Sequence, residues 1–246
     1  MFKMRFFEWI RRSLSSGTPL SPPLPDQPLA IIGDIHGRAD LLEDLLQRIP
    51  EGFQIVCVGD YVDRGEQSSE VIRMLVERTD VICLKGNHED MLLKFLEDPE
   101  RHGDRWLRYG GLQTLHSFGV LINHTQDPEL RFRAARNDLE KSLGKTGLKW
   151  LERLELSWCS GNVHVVHAGA DPSVPMKDQE RSVLFWGHPE FLRKPHADGI
   201  WIVHGHTIVD EARNEYGRIP VDTGAYATGR LTAALISEGQ VEFLRT

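Results

Sequence analysis

The sequence predicts an α/β fold, and two features of the chain support this class. Three short runs of apolar, mostly β-branched residues end abruptly in glycine-led loops that carry charged side chains. Between these runs lie segments whose apolar residues recur at helical spacing. Strands that alternate with helices in this way form a parallel sheet covered by helices.

The first part of the chain predicts a strand–helix–strand–helix–strand unit. Strands are expected at residues 29–32, 53–58 and 81–84, and helices at 39–49 and 68–78. Right-handed crossovers bring the ends of such strands to one edge of the sheet. The loops that follow the three strands are therefore expected to meet at that edge.

A mostly helical region follows the third strand. A helix is predicted at 89–96, and residues 101–156 keep a helical pattern with turns at Gly110-Gly111 and at Gly144. We interpret residues 99–160 as a helical insertion beside the site, whose aromatic side chains, including Trp106, belong to its own core.

The last third of the chain predicts strands again. Two runs, at 163–166 and 200–203, each lead into a loop that contains histidine. Three β-like runs then follow, at 218–221, 231–237 and 240–244. They suggest a second, partly antiparallel sheet packed on the first.

The first 27 residues differ in character from the rest. Residues 1–12 mix apolar and basic side chains at helical spacing, which predicts a short amphipathic helix. We expect it to pack on its own domain or to fray, rather than to contact a membrane surface. Residues 18–28 are rich in proline and predict an extended linker. One catalytic domain, residues 28–246, is expected to follow.

Composition narrows the function classes. The 246 residues carry a formal charge of −7, which argues against a nucleic-acid partner. Cys57, Cys83 and Cys159 lie among apolar neighbours without paired spacing, so we expect three reduced core cysteines and a cytoplasmic protein. A cysteine-nucleophile phosphatase is disfavoured, because six residues rather than five separate Cys57 from Arg64.

The three loops after the first three strands and the two later loops that contain histidine supply oxygen and nitrogen donors and no thiolate. This is the ligand set of divalent first-row metals rather than of a sulfur site. The sequence therefore predicts a metal centre. The candidate ligands are Asp34, His36, Asp60, Asn87, His167 and His206.

These loops resemble the blocks of a known family. Residues 33–37 (GDIHG), 59–65 (GDYVDRG), 86–89 (GNHE), 167–169 (HAG) and 205–207 (GHT) are similar to those of the calcineurin-like metallophosphoesterases, and most similar to the bacterial and phage-type phosphoprotein phosphatases. The resemblance covers residues 28–246, with no matching block between residues 98 and 161. It implies a β-sandwich flanked by helices on both sides (α/β/β/α).

The resemblance also implies a dinuclear centre with Asp60 as the bridging carboxylate. Two divalent cations are expected, manganese first, with iron and zinc as alternatives. Such a pair, about 3.5–4 Å apart, neutralises a phosphate ester and activates a water for in-line attack. The first ion would be held by Asp34, His36 and Asp60, and the second by Asp60, Asn87, His167 and His206.

Three further residues receive roles from the same resemblance. Asp63 and His88 would form a carboxylate–imidazole pair in which His88 protonates the leaving alkoxide. Arg64 would bind two phosphate oxygens. A second phosphate-binding arginine is not found where the family carries it, and Arg181 and Arg193 are the substitutes that the sequence offers.

The implied activity is hydrolysis of phosphoserine and phosphothreonine in proteins, and the alternatives stay open. A symmetrical diadenosine tetraphosphate hydrolase, or another small-molecule phosphoesterase, shares most of the blocks. Asp63 and Glu89 stand where those hydrolases tend to carry alanine and aspartate, which favours the protein phosphatase. A metal-binding scaffold without activity has no support, because every predicted site residue is present. Asp222 is expected to orient the site from outside the ligand set.

Overall fold

The structure is a computed structural model that describes residues 20–123 and 127–246. Residues 1–12, for which the sequence predicts an amphipathic helix, lie outside the described residues. Within the described ranges, no helix is both long enough and apolar enough to cross a membrane.

The described residues form two sheets and the helices that cover them. The strands are β1 (Leu29–Ile32), β2 (Gln54–Cys57), β3 (Val81–Cys83), β4 (Ser157–Ser160), β5 (Val163–Val166), β6 (Trp201–His204), β7 (Arg218–Pro220), β8 (Thr232–Ser237) and β9 (Gln240–Arg245). The helices are α1 (Ala39–Arg48), α2 (Ser68–Val76), α3 (Asn87–Glu97), α4 (Pro99–Trp106), α5 (Leu112–Ser117), α6 (Pro128–Arg153), α7 (Arg181–Trp186) and α8 (Ala225–Thr228).

The first sheet has the order β3-β2-β1-β8-β9. Strands β1, β2 and β3 are parallel, as the strand–helix alternation predicts, whereas β8 and β9 are antiparallel to their neighbours. The second sheet has the order β4-β5-β6-β7, with β4 antiparallel to β5 and the others parallel. The parallel strands of each sheet therefore present their carboxyl ends at one edge.

The two sheets pack face to face, and helices cover their outer faces. Leu29 and Ile31 of β1 share one apolar cluster with Val165 of β5 and Val203 of β6. The alternate residues of β1 point the other way into a cluster with α1, α2 and α6, and the outer face of the second sheet packs on α7. The expected sandwich flanked by helices is confirmed.

The sequence predicts that the three C-terminal runs form the second sheet, and this prediction is wrong for two of them. Of the three C-terminal runs, only β7 joins the second sheet, while β8 and β9 extend the first. Strand β8 pairs with β1 from Leu29↔Ile236 to Ile32↔Ala233, and both faces of this pair are buried. A mostly apolar run fits either sheet locally, so the choice depends on the neighbour that it meets in the fold.

The region predicted as a helical insertion contains α4, α5 and α6. Gly110 and Gly144 have positive φ angles of 106° and 64° and interrupt the helices where the sequence places turns. A kinked turn, Leu107–Gly111, joins α4 to α5. The last four residues of the region, predicted as part of the insertion, form β4 instead.

The chain before β1 makes specific contacts although it is extended. The backbone N–H of Leu24 donates to Asn162 Oδ1 at 2.6 Å, and Trp201 Nε1 donates to the Ser21 carbonyl at 2.7 Å. Asp26 accepts from the N–H of Gly161 at 2.9 Å, at the turn between β4 and β5. Residues 20–26, which the sequence assigns to a linker, thus lie against the second sheet.

The three cysteines do not share one environment. Cys57 is buried and Cys83 is half-buried, in register on neighbouring strands, but Cys159 is exposed. The prediction of three core cysteines is therefore wrong for Cys159. It lies on β4, an edge strand, where successive side chains alternate between the sheet interior and solvent.

Candidate metal centre

Five loops meet at the carboxyl ends of the parallel strands. The loops after β1, β2 and β3 come from the first sheet, and those after β5 and β6 come from the second. Backbone hydrogen bonds tie the loops together, since the N–H of His36 donates to Asp60 O at 2.8 Å and that of Gly205 to His167 O at 2.8 Å. Residues far apart in the sequence thereby share one cleft.

Asp60 lies at the centre of this cleft. Its Oδ2 atom is 3.6 Å from His36 Nε2, 3.4 Å from His167 Nε2 and 4.0 Å from His88 Nε2. Burial opposes ionisation of Asp60, but the charges of His167 and His88 outweigh it and hold its pKa well below the usual value. One carboxylate oxygen thus faces three imidazole rings.

The ligand-type atoms of the described residues fall into two groups that share Asp60. One group contains His36, Asp60 and His88, and the other contains Asp60, His167 and His206, with the ligand atoms of each group within 4.8 Å of one another. Asn87 Oδ1 completes the second group at 2.8 Å from His167 Nε2 and 2.8 Å from His206 Nδ1.

The orientation of two imidazole rings is fixed by the backbone. Nδ1 of His36 donates to the Val62 carbonyl at 2.8 Å, and Nδ1 of His167 donates to the Val58 carbonyl at 3.2 Å. Both bonds turn Nε2 toward Asp60, as in many metal sites where the second ring nitrogen is held by a carbonyl. Burial lowers the pKa of His36 to about 3, so this ring is neutral and can act as a ligand.

Asp34 lies beside these groups, against the neighbouring loop. Its carboxylate accepts the backbone N–H of His206 at 3.0 and 3.2 Å. Burial, together with the negative charges of Asp222 and Asp60, raises the pKa of Asp34 well above its usual value. Asp222, expected to orient the site, is buried nearby and accepts the Gly224 N–H at 2.8 Å.

These observations fit divalent cations. The buried carboxylates of Asp34, Asp60 and Asp222 repel one another, and a positive charge between them would relieve that repulsion. The donors are carboxylate, amide and imidazole, which divalent first-row metals accept. Asp34, His36, Asp60, Asn87, His167 and His206, all of which the sequence singles out, could hold the ions.

The backbone of the site is held in an unusual conformation. The φ angles of His36, Asp60, Asp63, Arg64 and His206 lie between 45° and 70°, in the left-handed region. Such residues cluster where the surrounding structure fixes them for function. Close packing adds to the constraint, because a Cβ on Gly86 or Gly205 would collide with the carboxylate of Asp60 or Asp34.

Asp63 and His88 form a buried pair next to the first group. His88 Nδ1 lies 2.7 Å from Asp63 Oδ2, and both side chains are almost completely buried. Burial alone would lower the pKa of His88, but Asp60 and Asp63 outweigh it and raise the pKa. The pair thereby favours the protonated form of the imidazole.

Two residues of the helical region hold Asp63, and sequence reasoning missed both. Trp106 Nε1 donates to the carboxylate at 3.0 and 3.1 Å, and Thr114 Oγ1 donates at 2.6 Å. Trp106 is a core residue, as expected, but it also orients the site. No signal in the sequence links it to a residue 43 positions away.

Glu89 holds the loop that carries Asp60, a role that the sequence did not predict. Its carboxylate is fully buried and accepts the backbone N–H groups of Asp60, Tyr61 and Gly86 at 2.8, 2.8 and 2.9 Å. Burial and the charge of Asp60 raise its pKa to about 7. Glu89 thus fixes the loop that carries Asp60.

Of the three arginines that the sequence offers for phosphate binding, Arg64 lies near the site, whereas Arg181 and Arg193 form ion pairs elsewhere. Arg64 lies over the Tyr226 ring, 4.8 Å from its centroid, and Tyr226 contacts the His36 ring at 5.4 Å. Arg181 instead lies 3.9 Å from Asp90, and Arg193 pairs with Glu190. Neither substitute arginine contacts a predicted ligand among the described residues.

Two known proteins are similar to this chain in sequence. The chain is 28% identical over 234 residues to the asymmetrical bis(5'-nucleosyl)-tetraphosphatase PrpE of Oceanobacillus iheyensis, covering 82% of this chain and 86% of that protein. It is 27% identical over 222 residues to serine/threonine-protein phosphatase 2 of Escherichia coli K12, covering 82% and 89%.

A solved structure shows the same fold. The metallophosphoesterase of Sphaerobacter thermophilus superposes with a TM-score of 0.56 at 18% identity, covering 89% of this chain and 87% of that one. The family model for calcineurin-like phosphoesterases matches residues 27–214. The chain therefore belongs to the calcineurin-like phosphoesterase family.

Proposed function

We propose that this phosphoesterase is a dinuclear metal-dependent phosphatase that hydrolyses phosphoserine and phosphothreonine in proteins. In this proposal Asp34, His36 and Asp60 hold one ion. Asn87, His167 and His206 hold the other together with Asp60. Asp60 belongs to both ligand groups, which supports its bridging role, whereas Asp34 lies beside the first group and His88 lies within it. When bound, two divalent cations supply a nucleophile from water at neutral pH and neutralise the ester.

The observation that carries the choice of substrate is the buried Asp63–His88 pair. The alkoxide of serine or threonine is strongly basic and needs a proton as its bond to phosphorus breaks. His88 Nδ1 is held by Asp63, so Nε2 faces the cleft and can donate that proton. Trp106 and Thr114 fix Asp63 in turn. Arg64, beside the same cleft, can bind phosphate oxygens with its planar guanidinium.

His88→Asn tests this assignment. We expect the variant to slow a phosphoserine peptide by about 10²- to 10⁴-fold, as is typical for loss of a general acid. An activated aryl phosphate, whose leaving group departs without a proton, should slow much less. Metal content is measured in parallel. Equal losses on both substrates with unchanged metal would show that His88 binds or orients substrate, and a loss of metal would make it a ligand.

A second candidate is hydrolysis of dinucleoside polyphosphates, the activity named for the Oceanobacillus relative. It is favoured by aromatic rings at the mouth of the cleft, on which bases could stack. Tyr109, Trp186 and Tyr226 are 44%, 41% and 36% exposed, and they contact His88, His206 and His36. Initial rates on a phosphoserine peptide, an aryl phosphate and diadenosine tetraphosphate, each with Mn, Fe or Zn, separate the candidates.

A further inference from the structure

Arg105 is held between two exposed aromatic rings at the mouth of the cleft. Its guanidinium carbon lies 5.9 Å from the centroid of Tyr109 and 5.8 Å from that of Trp186. The Tyr109 ring lies 6.5 Å from His88, and the Trp186 ring lies 5.8 Å from His206. The two rings therefore lie between Arg105 and the histidines of the site.

We infer that Arg105, with Tyr109 and Trp186, forms a subsite for a second anionic group carried by the substrate beside the scissile phosphate. This inference rests on the proposed phosphoesterase site and specifies which substrates it prefers. Arg64 serves the scissile phosphate in that proposal, and it stacks on a different ring, Tyr226.

The charge of Arg105 is not neutralised within the described part of the chain. No ion pair of Arg105 occurs there, although the acidic residue Asp90 lines the same small cavity. Asp90 is already engaged by Lys94 at 2.7 Å and lies 3.9 Å from Arg181. A guanidinium that stacks on aromatic rings keeps its N–H edge free for an anion.

The space beside Arg105 suits a small anionic group. The cavity measures about 130 Å³ and is lined by Arg105, Trp106 and Trp186 together with Met91, Lys94, His102 and Asp90. A space of this size holds several water molecules. A carboxylate or a phosphate group can take their place.

The subsite is fixed relative to the catalytic pair. Trp106, one wall of the cavity, donates to Asp63, which holds His88. The N–H of Arg64 donates to the Gly110 carbonyl at 3.2 Å, directly after Tyr109. Binding at Arg105 therefore places the second group at a set position from the reacting phosphate.

Two inhibitors that are not substrates test the subsite. Inorganic phosphate carries one anionic group and methylenediphosphonate carries two. The inhibition constant of each is measured on aryl phosphate hydrolysis with metal in excess, and its binding affinity is measured by calorimetry. Arg105→Ala should weaken methylenediphosphonate about 10-fold or more, because a charge-assisted hydrogen bond is lost. Phosphate affinity should change less than about 2-fold.

Two further variants serve as controls for the Arg105→Ala result. Arg105→Lys should give an intermediate loss, because the charge stays and the planar fork is removed. Arg108→Ala is the matched control, since Arg108 is exposed in the same segment and bonds only the Asp104 carbonyl among the described residues. Equal weakening of both inhibitors in Arg105→Ala, or no weakening of either, would overturn the subsite.

Peptides identify the source of the second anion. A phosphoserine peptide flanked by glutamates is compared with one flanked by glutamines. If Arg105→Ala removes a preference for the glutamate peptide, the group is an acidic side chain. If only methylenediphosphonate responds, the group is a second phosphate. A wild-type enzyme that hydrolyses aryl phosphate but no phosphoserine peptide would refute the proposed substrate, while the inhibitor comparison would still decide on Arg105.

Discussion

Replacing Glu89 by Gln removes half of the acceptors that hold the Asp60 loop. Glu89 Oε2 accepts from the N–H groups of Asp60 and Gly86 at 2.8 and 2.9 Å, and Oε1 accepts from Tyr61 and Val62 at 2.8 and 3.3 Å. Glutamine offers one oxygen, so its NH₂ group would face two backbone donors. Each buried N–H left without an acceptor costs about 1–3 kcal/mol. We therefore expect the two unpaired donors to lower the unfolding free energy by about 2–6 kcal/mol, less the repulsion between the buried Glu89 and Asp60 charges that the substitution relieves.

Urea denaturation measures this loss. It is carried out at pH 8, above the raised pKa of about 7, so that Glu89 is ionised in the wild type. Glu97→Gln is the matched control, because Glu97 is exposed on the same helix and should change stability by less than about 0.5 kcal/mol. Metal content of the folded Glu89→Gln protein should fall as well. A variant as stable and as metal-rich as the control would refute the role of Glu89 in fixing the loop.

Three other predictions test the metal centre and the segment that precedes β1. Asp60→Asn should lose most of the activity and most of the bound metal, whereas the exposed control Asp210→Asn should lose neither. If Asp60→Asn keeps two ions by elemental analysis and turns over at a near wild-type rate, Asp60 does not bridge the ions. Chelation should abolish turnover and Mn²⁺ should restore it, so full activity of metal-free protein would contradict the mechanism. Deletion of residues 1–27 should destabilise the protein by about 2–4 kcal/mol more than deletion of 1–19, because residues 20–26 bond the second sheet. Equal melting of the two truncations would show that these bonds contribute nothing.

The candidate ligands were predictable because local rules place them. An apolar run predicts a strand, a glycine and a carboxylate predict the loop that ends it, and parallel strands bring such loops to one edge. Asp34, Asp60 and Asn87 follow three parallel strands and do meet in one cleft with His167 and His206.

The tertiary structure alone decided the partners that act across long stretches of sequence. Trp106 and Thr114 hold Asp63 from positions 43 and 51 residues away, and Arg105 of the same region lies over the Trp186 ring. Helical periodicity marks a tryptophan as buried, but it does not say which polar atom its N–H will meet. That choice is made by the packing of α4 and α5 against the loop after β2.

The sequence by itself determined the α/β class, the loops and the metal-ligating residue types, since these depend on residues within one strand and its following turn. The sheet to which β8 and β9 belong, the exposure of Cys159 and the contacts of residues 20–26 needed the folded molecule. Each depends on a neighbour more than 50 residues away or on the place of a strand in its sheet. A local sequence pattern does not identify that neighbour, because strand pairing and edge position are set by the packing of the whole chain.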